Sequence, residues 1–216
     1  MAAHGQTSNR ARSTLLLFGA LVQSHDVSML RSMREAIVVQ HGVDNSWLVD
    51  SIRALPEDFR TAQSQLPFLD QTTTTTIHQQ LVDAVSNFLT GSFETLILPL
   101  PTAILIPLAV ATQLAHYVDY ARQSPTILAE AKEALGFCTG ILGAFAVASS
   151  RDAEDLARHG AAAMRLGMLA GLIVDCEDAA TGKGKYRSLS AGWDSEEKRA
   201  AMITIVESFD EVSLLQ

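Results

Sequence analysis

The pentapeptide Gly-Phe-Cys-Thr-Gly at 136–140 is the part of the chain whose residue types and spacing best suit chemistry. Cys138 stands two residues from Gly136 and from Gly140, and the apolar run ILGAFAVA follows. A nucleophile elbow needs a strand, a sharp turn that carries the nucleophile, and a helix, with glycines where the backbone doubles back. Free N–H groups at the start of that helix can hold an anion and lower the pKa of a thiol. The pattern therefore predicts Cys138 as a nucleophile at a strand-to-helix turn.

A packing role is the alternative for this cysteine, because free cysteines often act as small buried hydrophobic side chains. Spacing alone leaves both roles open. The other cysteine, Cys176, is far along the chain and indicates no disulfide framework, and no secretory signal opens the sequence, so we expect a reducing, cytoplasmic compartment. No metal site is predicted, because no cluster of His, Cys, Asp and Glu has ligand spacing. The segment TGKGKY lacks the strand and the helix that flank a phosphate-binding loop.

Length and charge narrow the class of protein. The 216 residues are enough for one domain with a substantial core, and 48% of them are hydrophobic. The net charge of −8 and the absence of a basic stripe argue against a general nucleic-acid binder, because phosphate binding needs clustered Lys and Arg. We therefore expect a globular domain with an aliphatic core and no nucleic-acid partner.

A stretch without charged side chains at 95–118 is long enough to cross a bilayer. Three prolines (Pro99, Pro101 and Pro107) interrupt it, and polar residues, Gln113 among them, stand towards its end. Because proline removes a helical hydrogen bond, a regular helix can begin only around 102 or 103. We therefore predict a buried core helix over 103–121 and no membrane span.

The elements before this helix follow from apolar periodicity. The run STLLLFG predicts a buried strand over 13–19, after a loose polar tail. Helical spacing then predicts helices that begin at 28, 46, 56 and 77. Pro56 is expected at the first turn of its helix, where its missing N–H costs nothing. The segment QTTTTT at 71–76 is interpreted as a surface loop whose last threonine caps the next helix, which stops near Gly91.

The elements after the core helix include the turn with the cysteine. The segment SPTILAEAKEA predicts a short helix entered at Pro125, and only ALGF is left to form a strand before Cys138. A long helix over 149–179 carries many small residues, which allow close packing between helices. After a loop over 182–193, Asp194 and Glu197 form a capping box for a last helix to about 208, and the closing DEVSLLQ is typical of the opening of a strand.

Five segments, in their order and spacing, resemble the starter-unit acyl-carrier-protein transacylase domain at the N-terminus of fungal non-reducing polyketide synthases. They are LLLFG, LPLPTAILIPLAVATQLAHYV, LGFCTGILGAFAVASS, GAAAMRLGMLAGLIVD and SLSAGWDSEE, spread over most of 14–212. The resemblance implies an α/β fold of the malonyl-transferase type: a helix-rich large subdomain with a short parallel sheet, truncated before a ferredoxin-like small subdomain. It divides the chain into a tail over 1–13 and one incomplete acyltransferase domain over 14–216.

The resemblance also assigns roles. It implies that Cys138 carries an acyl group as a thioester and that the backbone N–H of Thr139 forms part of an oxyanion hole. Arg165 lies near the position where malonyl transferases bind a substrate carboxylate, and both a pocket role and a structural role remain open for it. The glutamine that follows the first strand in the family is replaced here by Leu21, and Gln23 is the candidate substitute.

The catalytic histidine of the family lies beyond the insert at which this sequence stops, so the resemblance implies activity that is impaired in the chain alone. His116 and His159 lie in helical segments and are expected to pack rather than act as a base. The implied substrates are acyl-CoA or acyl-phosphopantetheine, with no bound cofactor. The implied partners are an acyl carrier protein, a thioester donor and the rest of a synthase. The alternatives are a non-catalytic carrier-protein-binding or scaffold relative, and a thioesterase-like hydrolase.

Overall fold

The computed structural model describes residues 14–19, 26–39, 46–66, 68–124, 131–181 and 195–207. They belong to two compact units that divide after Gly182. The predicted tail, the loop over 182–193, the closing strand and the candidate Gln23 all lie outside the described residues.

The described part of the first unit is mainly helical, with one short parallel sheet. Its elements in chain order are β1 (Thr14–Phe18), α1 (Val27–Arg34) with a π-helical continuation (Glu35–Val39), α2 (Ser46–Gln65), α3 (Gln71–Thr90), a 3₁₀ turn (Phe93–Thr95), α4 (Thr102–Gln123), β2 (Ala131–Gly136), α5 (Gly140–Ala148) and α6 (Ala153–Thr181). The predicted class, a helix-rich α/β fold with a short parallel sheet, is confirmed.

The two strands bring together segments that lie far apart in the sequence. They pair in parallel, with Leu16 opposite Ala134 and Phe18 opposite Gly136. The predicted strand at 13–19 is confirmed, but the predicted helix over 124–134 is wrong at 131–134, which belong to β2. Pairing with β1 satisfies the backbone there, and such tertiary pairing overrides the helical preference of alanine and glutamate. Both strands therefore end at the same edge of the sheet, and Cys138 follows the end of β2 by two residues.

Helix α4 is the centre of the core, and α6 packs closely against it. A Cβ atom at Gly171 would lie 2.5 Å from the backbone of Thr102 and Ala103, and one at Gly160 would lie 3.0 Å from Leu114. The small residues thus let the two helices approach, as the sequence predicted. The Asp175 carboxylate of α6 accepts hydrogen bonds from the N–H groups of Thr102 (2.9 Å) and Ala103 (2.8 Å), which caps α4 from a neighbouring helix.

A core position of α4 is confirmed, since Ile104, Leu108 and Leu114 are among its buried side chains. Within the ranges that the structure describes, no helix combines the length and the apolar character that a membrane crossing requires.

Helix α2 corrects one prediction, because it runs unbroken through Pro56 instead of starting there. Proline inside a helix costs about 3 kcal/mol. The buried side chains Leu48, Ile52, Leu55 and Phe59 lie on either side of it, and each contributes about 1.5–3 kcal/mol by leaving water. Burial of this continuous face outweighs the local cost.

Helix α3 corrects a second prediction, because the threonine run is helical and not a loop. The cap is Asp70, whose carboxylate accepts from the N–H of Thr73 at 2.6 Å. The hydroxyls of Thr75 and Thr76 donate to carbonyls one turn back. The helix ends at Gly91, with φ of 83°, as predicted.

The second unit contributes one described helix, α7 (Glu196–Glu207). The predicted helix is confirmed, but its cap differs. The hydroxyl of Ser195 accepts from the N–H of Lys198 at 3.3 Å, so the cap is one residue later than predicted.

Candidate functional site

The backbone between β2 and α5 turns sharply at Cys138. Cys138 has a φ of 54°, and no other non-glycine residue in the described ranges has a positive φ. The N–H of Gly140 donates to the carbonyl of Phe137 (3.0 Å), and the N–H of Ile141 donates to that of Cys138 (3.1 Å). A left-handed conformation costs a residue with a Cβ about 1–2 kcal/mol, so the surrounding structure holds this turn against local strain.

The two glycines of the pentapeptide are explained by close backbone contacts. A Cβ atom at Gly136 would overlap the backbone of Gly140 and Ile141, so β2 and α5 can meet only where no side chain is present. A Cβ atom at Gly140 would overlap the carbonyl group of Phe18, at the end of β1, and would lie 2.7 Å from its carbon. The strand, turn and helix predicted from the spacing are therefore present. The start of α5 also packs directly against the end of β1.

The two thiols have different surroundings. Cys138 is exposed, and its Sγ has no hydrogen-bond partner among the described residues. Cys176 is buried on α6, and burial raises the pKa of its thiol. Of these two thiols, only that of Cys138 is accessible to a dissolved reagent.

Backbone donors lie beside the exposed thiol. Cys138 and Thr139 directly precede α5, and neither N–H finds an acceptor within the described part of the chain. Helix N-termini present such unpaired N–H groups to anions. This geometry suits an oxygen that gains negative charge when a thiolate attacks a carbonyl.

Apolar side chains flank the thiol in the sequence and remain exposed. Phe137 is 67% exposed and Ile141 57% exposed, on the two sides of Cys138. The outward face of the sheet adds Leu17 and Leu135, which are also exposed. A surface of this kind can contact an acyl chain or another apolar segment.

The remaining candidates are dispersed. The Nε of Arg165 donates to a carboxylate oxygen of Asp58 on α2 at 2.7 Å, and its place in a substrate pocket stays a prediction. The Nδ1 of His159 lies 3.2 Å from the hydroxyl oxygen of Ser150, and His116 is exposed on α4. No imidazole within the described ranges hydrogen-bonds to Cys138.

Sequence reasoning missed Gln113 as part of the site. Its Nε2 donates to the carbonyl of Gly19, directly after β1, at 2.7 Å. Gln113 and His116 also line a cavity of about 380 Å³ beside β1. The signal in the sequence is a glutamine within the uncharged stretch at 95–118.

A larger cavity of about 570 Å³ lies where α4 ends and α6 begins, lined by Trp47, Arg122 and Arg151 among others, away from the thiol. In the ranges that the structure describes, no group of three or more His, Cys, Asp and Glu residues could hold a metal ion.

Comparison with known proteins places the chain in a family. Residues 39–212 match the family described as "Starter unit:ACP transacylase in aflatoxin biosynthesis". The chain is 79% identical over 211 residues to a 3-methylorcinaldehyde synthase of Sarocladium schorii, an alignment that covers 98% of this chain and 8% of that protein. It is 39% identical to a 3-methylorcinaldehyde synthase of Phoma sp (91% and 8%) and 34% identical to a non-reducing polyketide synthase of Monascus ruber (92% and 8%).

The chain thus spans about 8% of the length of these relatives. The family match covers most of its residues, on both sides of the cysteine turn. The chain belongs to the starter unit:ACP transacylase family, found in the fungal non-reducing polyketide synthases that it resembles.

Proposed function

We propose that the chain accepts a starter acyl group on Cys138 from an acyl thioester, either acyl-CoA or acyl-phosphopantetheine. It then passes that group to the phosphopantetheine thiol of an acyl carrier protein within a polyketide synthase. One observation carries the proposal: an exposed thiol on a left-handed turn, beside two backbone N–H groups at the start of α5. The family membership agrees with this activity.

The chemistry is a pair of thioester exchanges. The Cys138 thiolate attacks the donor carbonyl, and the new S–C bond forms as charge develops on the carbonyl oxygen. The N–H of Thr139 donates to that oxygen. Collapse of the intermediate breaks the donor C–S bond and releases the donor thiolate, which takes up a proton. The carrier-protein thiol then reverses these steps and frees Cys138.

Proton transfer limits the rate in this proposal. The thiolate is the nucleophile, so a neutral cysteine must lose its proton before it attacks a carbonyl. A positioned base typically contributes about 10²–10⁴ in rate. Because no described imidazole hydrogen-bonds to Cys138, we expect slow acylation of the chain.

The test is acylation of the chain by short acyl-CoA donors, followed by intact-protein mass spectrometry. We expect one acyl adduct on the wild type and on Cys176→Ala, and none on Cys138→Ala. Addition of an acyl carrier protein that bears phosphopantetheine should move the acyl group to the carrier. The proposal is wrong if no short acyl thioester labels the wild type, or if the adduct persists in Cys138→Ala.

A non-catalytic role in carrier-protein binding is the second candidate, favoured by the lack of a hydrogen-bonded base at Cys138 among the described residues. It predicts that the carrier protein binds Cys138→Ala as tightly as wild type while neither becomes acylated. A hydrolase would instead release free acid in the same assay when the carrier protein is left out.

A further inference from the structure

Two buried side-chain oxygens, one in the cysteine turn and one on α4, lack a hydrogen-bond partner within the described residues. In the described part of the chain, Oε1 of Gln113 and Oγ1 of Thr139 are the buried side-chain oxygen or nitrogen atoms without a hydrogen-bond partner. Buried polar groups nearly always have a partner, either in the protein or in an ordered water molecule. Both unpartnered oxygens belong to residues that lie in the cysteine turn or pack against it, so one shared partner could satisfy the two.

The helix α5 places the two atoms on one face. Thr139 stands one turn before Gly143, so both lie on the same side of α5. A Cβ atom at Gly143 would lie 2.7 Å from the Oε1 of Gln113. The amide of Gln113 therefore occupies space that Gly143 leaves open, on the face to which the Thr139 side chain belongs.

The end of β1 lies against the same face. A Cβ atom at Gly140 would lie 2.9 Å from the carbonyl oxygen of Gly19. That oxygen accepts a hydrogen bond from the Nε2 of Gln113 at 2.7 Å. One side chain of α4 thus already holds the end of β1, and its other amide atom points to α5.

We propose that Gln113 is a positioning residue for the cysteine turn, an inference that rests on the proposed acyl transfer. The hydroxyl of Thr139 donates to one buried water molecule, and that water donates to the Oε1 of Gln113. Such a water satisfies both unpartnered atoms at little cost in free energy. Together with the bond to Gly19, it fixes the residue after Cys138 relative to β1. The N–H of Thr139 is then aimed at the oxygen of the bound acyl group.

The test uses two substitutions that keep side-chain size and remove the polar atoms, Gln113→Met and Thr139→Val, alone and combined. Two matched controls on α4 have hydrogen bonds directed elsewhere. Gln123→Met removes a bond to Asp119, and Thr112→Val removes a bond to the carbonyl of Leu108. Thr139→Ser retains the hydroxyl and serves as the conservative rescue.

The first measurement is equilibrium unfolding in urea, which needs no activity. If the water connects the two side chains, the double variant loses no more stability than the more damaging single variant. Each control substitution combined with Thr139→Val should instead give additive losses. Additive losses for the Gln113→Met and Thr139→Val pair would overturn the connection, whether or not the chain is acylated.

The second measurement separates positioning from general damage. Loss of one oxyanion donor costs about 10²–10³ in rate, and misorientation should cost less, so we expect acylation of each single variant to slow roughly 10-fold. Alkylation of Cys138 by iodoacetamide, which needs no oxyanion donor, should remain within about 2-fold of wild type. The double variant should be acylated no more slowly than the slower of the two single variants. Thr139→Ser should be acylated at close to the wild-type rate.

The outcomes distinguish this inference from the proposed function. Acylation of Gln113→Met and Thr139→Val at the wild-type rate would refute the positioning role. An equal slowing of acylation and alkylation would refute it as well, because that pattern reports a general distortion of the turn. Failure of the proposed function has a different result: wild type forms no adduct, while the unfolding cycle still shows the coupling.

Discussion

Replacement of Cys138 by glycine should make the fold more stable, although it removes the group that we propose to be reactive. Cys138 has a φ of 54°, where a residue with a Cβ is strained by about 1–2 kcal/mol and glycine is not. Glycine has more conformational entropy in the unfolded chain, which lowers the free energy of unfolding by about 0.5–1 kcal/mol and offsets part of this gain. The thiol is exposed, so its loss removes little burial. Cys138→Gly should therefore be more stable than Cys138→Ala by about 1 kcal/mol.

The assay is urea unfolding followed by far-UV circular dichroism, with both substitutions measured in parallel. The control is the same pair at Cys176, which is buried within the regular helix α6. There the order should reverse, with glycine about 1 kcal/mol less stable than alanine, because φ is helical. If Cys138→Gly is no more stable than Cys138→Ala while the Cys176 pair behaves as expected, the strain argument for the turn is wrong.

Three further predictions concern the elements around the turn. Gly140→Ala should lower stability by about 1–3 kcal/mol in urea unfolding, because its Cβ would press on the Phe18 carbonyl, whereas Gly19→Ala, with nothing within 4 Å, should change little. Asp175→Ala should lower the free energy of unfolding by about 0.5–2 kcal/mol, because two N–H groups of α4 lose their cap. Asp175→Asn keeps one acceptor and should lose less, as thermal unfolding would show. The hydrogen bond from Arg151 lowers the pKa of Asp155 below the ordinary range of an aspartate. The stability that the Asp155 carboxylate contributes is therefore present above the ordinary aspartate pKa and is lost as pH falls through the lowered value. Unfolding midpoints of Asp155→Asn should therefore fall less steeply with acid than those of wild type, and parallel curves would contradict the assignment.

The local sequence determined the features whose causes lie within a few residues. The stop at Gly91 and the start of α4 at Thr102 follow from glycine and proline chemistry. The glycines at 136 and 140 marked the cysteine turn, because a chain that doubles back needs residues without side chains. The small residues of α6 predicted close packing for the same reason.

Tertiary contacts determined the secondary structure of two segments whose local sequence favours a different conformation. Pro56 interrupts helical hydrogen bonding, yet the buried face of α2 keeps the helix continuous. The segment 131–134 has helical preference, yet pairing with β1 makes it a strand. In each case burial or backbone pairing, available only from distant segments, exceeded a local cost of a few kcal/mol.

The site shows the same division. The sequence alone singled out Cys138, because the two glycines, the turn and the following helix are all local. It could not assign Gln113, since the hydrogen bond to Gly19 joins residues 94 positions apart. The residues around Gln113 in the sequence do not indicate its hydrogen-bond partner. Only the folded chain brings the Gly19 carbonyl oxygen to 2.7 Å from its Nε2.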